Sequence, residues 1–334
     1  MAIITGRKQV LDIYSEAIRN KWTLPCFCTE NLTTTEAILA ATKEYGDAKG
    51  IKDLPVIIAI TCQYDHRTQA SYYTHTRRWD IGMKLFLGDL KILTAQGSPY
   101  ENLRVMVHLD HVQFDDDKEL LSWDMEQFSS IMFDASKLPF KENMKLTKQF
   151  VMEQGAKIVV EGACDEIVDA TGNDKSELTT PEKAEEYYNE TGVDLIVANL
   201  GTEHRASAKD LKYYSDFATK IKDKIGTRIV LHGASSVPGD QISHLIEDGV
   251  CKVNLWTALE RDSSPALFKS MVENATKVAG KTTVENLKKA DLLGTKCSSD
   301  EKASLGFFTT EYRQNIIFTE MKKIVNAYLR LWYK

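Results

Sequence analysis

Three histidines in this chain fall where short apolar runs end, and each has polar or acidic residues close by in sequence. His111 ends the run Arg104–His111 with Asp110 directly before it, His204 follows Asp194–Gly201, and His232 lies in Arg228–Gly233. Neutral imidazoles from three separate segments can converge on one Zn2+ and leave a coordination position open, as catalytic zinc sites do. Co2+ or Mn2+ are the alternatives. Asp110 is placed for acid–base work beside such a site. Asp134 and Glu161, in two further runs, are candidates for a supporting shell of acids, and Asn254 lies near the end of a last one. One histidine at such a place would cap a strand or fill a polar pocket. Three at equivalent depth, beside acids, point to a metal site.

The elements that must carry these residues are legible as eight runs rich in Val, Ile, Leu or Met. They are Thr23–Cys28, Pro55–Thr61, Arg104–His111, Ser129–Asp134, Lys157–Ala163, Asp194–Gly201, Arg228–Gly233 and Val250–Leu255. Each has the length of a buried parallel strand, and most intervening segments are long enough for a helix. Eight such units in succession predict an α/β fold, a (β/α)8 TIM barrel, whose active site lies where the strands end. Helix starts are expected at Thr33-Thr-Thr-Glu36, a capping box, at Thr180-Pro181-Glu182, and after Ser236-Val-Pro-Gly-Asp240. Residues 62–103 and 164–180 are longer, polar connections suited to binding loops or lids. Residues 313–333 read as an amphipathic helix with Ile316, Ile317, Met321, Ile324, Val325, Tyr328 and Leu329 apolar, after an insertion over 279–312. Residues 1–334 therefore read as one barrel domain with a helical extension from about 279.

Composition narrows the function. Of 334 residues, 43% are hydrophobic and 27% charged, and the formal charge of −6 gives no electrostatic reason to expect nucleic acid. No signal-peptide core and no run of membrane-span length occurs, so a cytoplasmic protein with no membrane partner is expected. The six cysteines form no CxxC pair or disulfide framework and read as reduced, mostly packing, thiols.

The motifs Val107-His-Leu-Asp-His111, Ile131-Met-Phe-Asp-Ala-Ser136, Leu138-Pro-Phe-Lys-Glu-Asn143 and Val160-Glu-Gly162 occur in that order. Thr179-Thr-Pro-Glu182, Thr191-Gly-Val-Asp194, Gly201-Thr-Glu-His204, Leu231-His-Gly-Ala-Ser235 and Lys252-Val-Asn254 follow. This ordered set resembles the class II, metal-dependent fructose-bisphosphate/tagatose-bisphosphate aldolase family over nearly all of residues 1–275. The resemblance implies a metal held by His111, His204 and His232 that polarises the ketone of dihydroxyacetone phosphate and stabilises its enediolate. It implies that Asp110 handles the proton at the aldehyde oxygen and that Asn254 contacts the enediolate. Gly233, Ser235 and Thr257, with Thr61, are placed at the substrate and its phosphate. A homodimer or homotetramer is implied, with the C-terminal helix as a contact.

The chain also departs from that pattern. Arg205 stands where the family has glycine after its second histidine, and Gly233-Ala234-Ser235 where it has Gly-Gly-Ser. Ala258 follows Thr257 where an acid is common, with Trp256 just before. No glutamate sits in register with the family's base, so a lid acid, one of Asp165, Glu166, Asp169 or Asp174, is expected to replace it, with Glu161 and His66 next in order. Arg205 is a candidate for an anion contact. The expected function is a divergent zinc-dependent aldolase, a lyase of carbohydrate metabolism acting on a small sugar phosphate with altered specificity. The alternatives are a metal-dependent isomerase or epimerase on the same scaffold, which would use the same enediolate, or a catalytically silent sugar-phosphate-binding paralogue.

Overall fold

The computed structural model describes residues 2–166, 178–202, 212–298 and 300–334. His204, Arg205, Asp169 and Asp174 lie outside the described residues. Eight parallel strands close into a barrel: β1 Leu24–Cys28, β2 Pro55–Thr61, β3 Arg104–Gln113, β4 Ser130–Asp134, β5 Val159–Ala163, β6 Leu195–Val197, β7 Ile229–Leu231 and β8 Val250–Leu255. Each pairs with its sequence neighbours, and β8 pairs with β1 to complete the ring. A short strand, Ile3–Ile4, adds to the start of β3. The fold is the expected (β/α)8 barrel. Every residue of these strands except Arg104 is buried, as parallel strands covered on both faces must be. Their Val, Ile and Leu side chains form one continuous core with the inner faces of the surrounding helices.

Local chemistry sets the helix ends, in one case differently from the sequence reading. Thr180 caps Pro181–Thr191 by accepting from Lys183 N–H at 3.2 Å, with Pro181 at the first position and Gly192 left-handed at the end. The expected capping box at Thr33–Glu36 is corrected. Asn31 is the cap, accepting from Thr34 N–H at 2.9 Å, so the helix Leu32–Lys49 begins before Thr33. Asparagine matches threonine as a cap, and its extended backbone leaves the strand end directly. The segment after Ser236 is also corrected. It forms a short 3-10 turn, Ala234–Ser236, and then successive turns rather than a helix.

The connection 62–103 contains two helices, Gln69–Tyr72 and Trp79–Leu93. The C-terminal helix runs Thr310–Trp332 and buries Met321, Val325, Leu329 and Trp332 against Leu32–Lys49 and Thr257–Glu273 of its own chain. Its buried stripe is thus committed to this chain rather than to a subunit contact. No helix among the described residues is long and apolar enough to cross a membrane. All six cysteines are free and five are buried, as expected.

Candidate active site

Consecutive residues on a strand point to opposite faces, so Asp110 and His111 cannot both face the mouth of a regular barrel. The register of β3 against β4 slips between Leu109 and Val112, and His111 takes a left-handed backbone, φ +47°. This bulge turns both side chains inward. Left-handed geometry costs a residue with a Cβ roughly 1–2 kcal/mol, and bulges that re-aim a side chain gather next to active sites.

His111 is fixed on three sides. Its Nδ1 lies 2.9 Å from Asp134 Oδ2, its Nε2 lies 3.1 Å from His232 Nδ1, and its ring stacks on Tyr64 at 4.2 Å and 4°. Asp134 is itself held by Ser136, whose N–H and hydroxyl donate to Oδ1 at 3.0 and 2.6 Å. Asp110 Oδ1 accepts from Asn254 Nδ2 at 2.8 Å, and its Oδ2 accepts from the Cys28 thiol at 3.4 Å. Asp110, His111 and His232 offer ligand atoms all within 4.8 Å of one another, and all three are buried. Two imidazoles and a carboxylate so close form a donor set that fits a divalent cation.

Burial would raise both carboxyls, but the neighbouring imidazoles outweigh it. Asp110 is held well below the usual carboxylate range by His111, His108 and His232, and Asp134 is held at about 2 chiefly by its bond to His111. Burial would lower His111, but Asp110 and Asp134 outweigh it, so the imidazole is raised. Two anions therefore hold a proton or a metal ion at His111.

A cleft opens above these groups, lined also by Thr61, Arg67, Ser235, Trp256 and Thr257. Gly233 is left-handed, φ +68°, and leads into the turn carrying Ser235. Thr257 opens the helix Thr257–Glu273, so free N–H groups and the positive end of that helix meet the cleft. Asn254 Oδ1 is buried with no hydrogen-bond partner among the described residues. Thr61 lines the cleft, and its hydroxyl donates to Arg67 O and accepts from Gln69 N–H at 3.0 Å, pinning the following loop.

The loop acids separate. Asp165 is tied down, accepting from Thr179 Oγ1 at 2.7 Å and from Lys183 Nζ. Glu166 is exposed and lines a small cavity with Tyr64, His66, His111 and Asp134. Glu161 is fully buried, paired with Lys252, and is not among the residues lining the cleft.

Sequence reasoning missed Tyr64 as a site residue, and also Arg67, Trp256, His108 and Lys252. A charge inside the run Val250–Leu255 was a signal that Lys252 needed a partner. Arg67 pairs with both oxygens of Glu30 at 2.7 and 2.5 Å and lies between the rings of Tyr72 and Trp256, at 4.1 and 5.1 Å. Nothing local announces that sandwich, because Glu30 and Trp256 come from segments far from Arg67 and Tyr72 in sequence.

Fold and site together define a (β/α)8-barrel protein with a histidine–carboxylate cluster at the catalytic mouth. A family model described as class-II fructose-bisphosphate aldolase matches residues 8–304, and the chain belongs to that family. It is 30% identical over 220 residues to a fructose-bisphosphate aldolase of Giardia intestinalis, covering 56% of this chain and 66% of that one. It is 29% identical over 256 residues to one of Geobacillus stearothermophilus, covering 74% and 79% respectively. A crystal structure of fructose-bisphosphate aldolase from Campylobacter jejuni superposes with TM-score 0.74 at 18% identity, over 99% of this chain and 95% of that one, and shares its fold.

Proposed function

We propose that this protein is a metal-dependent aldolase that breaks or forms a C–C bond beside the ketone of a small sugar phosphate. The observation that carries this is the convergence of Asp110, His111 and His232 beneath an open cleft. His111 and His232, with His204 from outside the described residues, would hold Zn2+, with Co2+ or Mn2+ as alternatives. When bound there, the cation supplies Lewis-acid polarisation of the substrate carbonyl.

The remaining steps fall to the chain's own groups. Glu166, the exposed acid of the described loop, takes the proton next to the ketone, and the enediolate form is received by Asn254. Asp110, rigid on its strand, moves the proton at the aldehyde oxygen. Gly233, Ser235 and the start of the helix at Thr257 receive the phosphate, with Arg205 as a further anion contact. The far wall supports altered specificity. Its cation, Arg67, is already neutralised by Glu30, and Trp256 presents an aromatic face beside it.

The test is release of triose phosphate from fructose 1,6-bisphosphate, tagatose 1,6-bisphosphate and shorter ketose phosphates, with and without a chelator. Cleavage of at least one substrate that is lost on chelation and lost in Asp110→Ala is expected. Chelator-insensitive cleavage, or none with the metal-loaded protein, would contradict the proposal.

A further inference from the structure

Beneath the mouth, the barrel interior carries charge where such barrels are filled by branched apolar side chains. Side chains two apart on a strand lie on the same face in successive layers. His108 lies one layer below Asp110 on β3, and Lys252 one layer below Asn254 on β8. Glu161 of β5 completes the lower layer. Lys252 Nζ donates to both oxygens of Glu161, at 2.7 and 2.8 Å, and neither side chain has any exposure. His108 Nε2 lies 3.6 Å from Glu161 Oε2 and 3.7 Å from Asp110 Oδ1, while its Nδ1 is fixed on Ser130 Oγ at 2.8 Å. The imidazole thus stands between a floor carboxylate and the carboxylate at the mouth.

A buried ion pair is weak evidence for stability, since apolar side chains of similar volume commonly hold such a place as well or better. This pair has a second consequence. Without Lys252, two buried carboxylates would face one imidazole from opposite sides. Burial opposes the Lys252 charge, yet the carboxylates of Glu161 and Asp110 outweigh it and keep the ammonium charged.

We propose that Lys252 is a positioning residue for the reaction: clamped on Glu161, it holds that carboxylate away from Asp110 and lets His108 seat Asp110 against Asn254. The inference rests on the aldolase reading for its kinetic consequence, but its geometric consequence stands alone. Neither Lys252 nor His108 touches substrate in this account.

The test uses Lys252→Met, which frees the Glu161 carboxylate, and His108→Leu, which cuts the link but keeps the ion pair; the double variant Lys252→Met/Glu161→Gln removes the freed carboxylate again and should keep Asp110 on Asn254. In crystals of either single variant, the 2.8 Å contact between Asp110 Oδ1 and Asn254 Nδ2 is expected to be lost. Metal content should be unchanged. The kcat for cleavage should fall at least tenfold with KM within twofold, while hydrogen exchange into dihydroxyacetone phosphate persists. A merely structural role would lower both half-reactions together. Retention of the contact in the folded single variants overturns the proposal, as does cleavage by them within twofold of wild type. Should Lys252→Met not fold, His108→Leu decides by the same criteria. A wild type inactive on every ketose phosphate would refute the aldolase reading instead, and the crystallographic contact would still decide this one.

Discussion

His111 is costly in backbone terms and closely supported in side-chain terms, which is how a strained site residue persists. Its orientation depends on Asp134, a carboxylate–histidine pair of the kind that fixes ring tautomer and raises ligand basicity. Asp134→Ala should therefore weaken metal binding by about 10–100-fold in a competitive chelator titration, with the fold intact. An unchanged affinity would remove Asp134 from the site. His232→Ala removes a donor outright and should lower metal content more sharply than Asp134→Ala does, as elemental analysis would read. Glu260, one turn into the helix after Thr257, is raised from 4.5 to about 7 by burial and by Glu30, against the pull of Arg67. Its folded pKa lies above the unfolded value. The neutral form is thus favoured in the fold below about pH 4.5, and that advantage is lost as pH rises through about 7. Glu260→Gln should raise stability at pH 8 by roughly 1–3 kcal/mol and change it little at pH 4, as denaturant titrations at the two pH values would show. The sequence marked His111, Asp110 and Asp134 because each ends an apolar run. It could not mark Tyr64 or Arg67, which reach the site from a connection whose path depends on the whole ring of strands.

At the level of elements, the strands were nearly all legible because each is buried on both faces and so reads as an unbroken apolar run. The largest difference lies in β6, Leu195–Val197, where the run continued to Gly201 but the ladder did not. Beyond Val197 the backbone bonds to neighbouring loops, with Asn199 N–H donating to Thr179 Oγ1 at 2.8 Å and Thr179 N–H to Asn199 O at 2.9 Å. Helix starts were less secure, since Asn31 and Thr33 are both good caps and only the exit angle of the strand decides between them. Where cap and proline agree the reading held, and Thr180→Ala should cost about 1 kcal/mol of stability by chemical denaturation. The C-terminal helix was read correctly as amphipathic, but periodicity does not say what its apolar stripe meets. It meets this chain. Leu329→Ala should cost about 2–5 kcal/mol, since the side chain is fully buried. A loss below about 0.5 kcal/mol would mean that the helix is only loosely docked.

Across the whole molecule, the barrel brings β3 beside residues at the end of β7 and in β8 that lie more than a hundred positions further along the chain, and it does so over a charged rather than an apolar floor. Topology is the reason the site could be outlined early: in a (β/α)8 barrel, the end of every strand lies at one mouth. Depth within the barrel could not be outlined in the same way: Glu161, expected as a supporting acid, is fully buried and paired with Lys252. The central claim is that this mouth removes a proton beside a ketone with the help of a bound cation. Its most direct test is hydrogen–deuterium exchange at C3 of dihydroxyacetone phosphate, followed by NMR in D2O with no aldehyde present. The metal-loaded protein should exchange one of the two C3 hydrogens, stop on chelation, resume on addition of Zn2+, and continue in Asp110→Ala. Absence of exchange in the metal-loaded protein, or exchange indifferent to the chelator, would contradict the account.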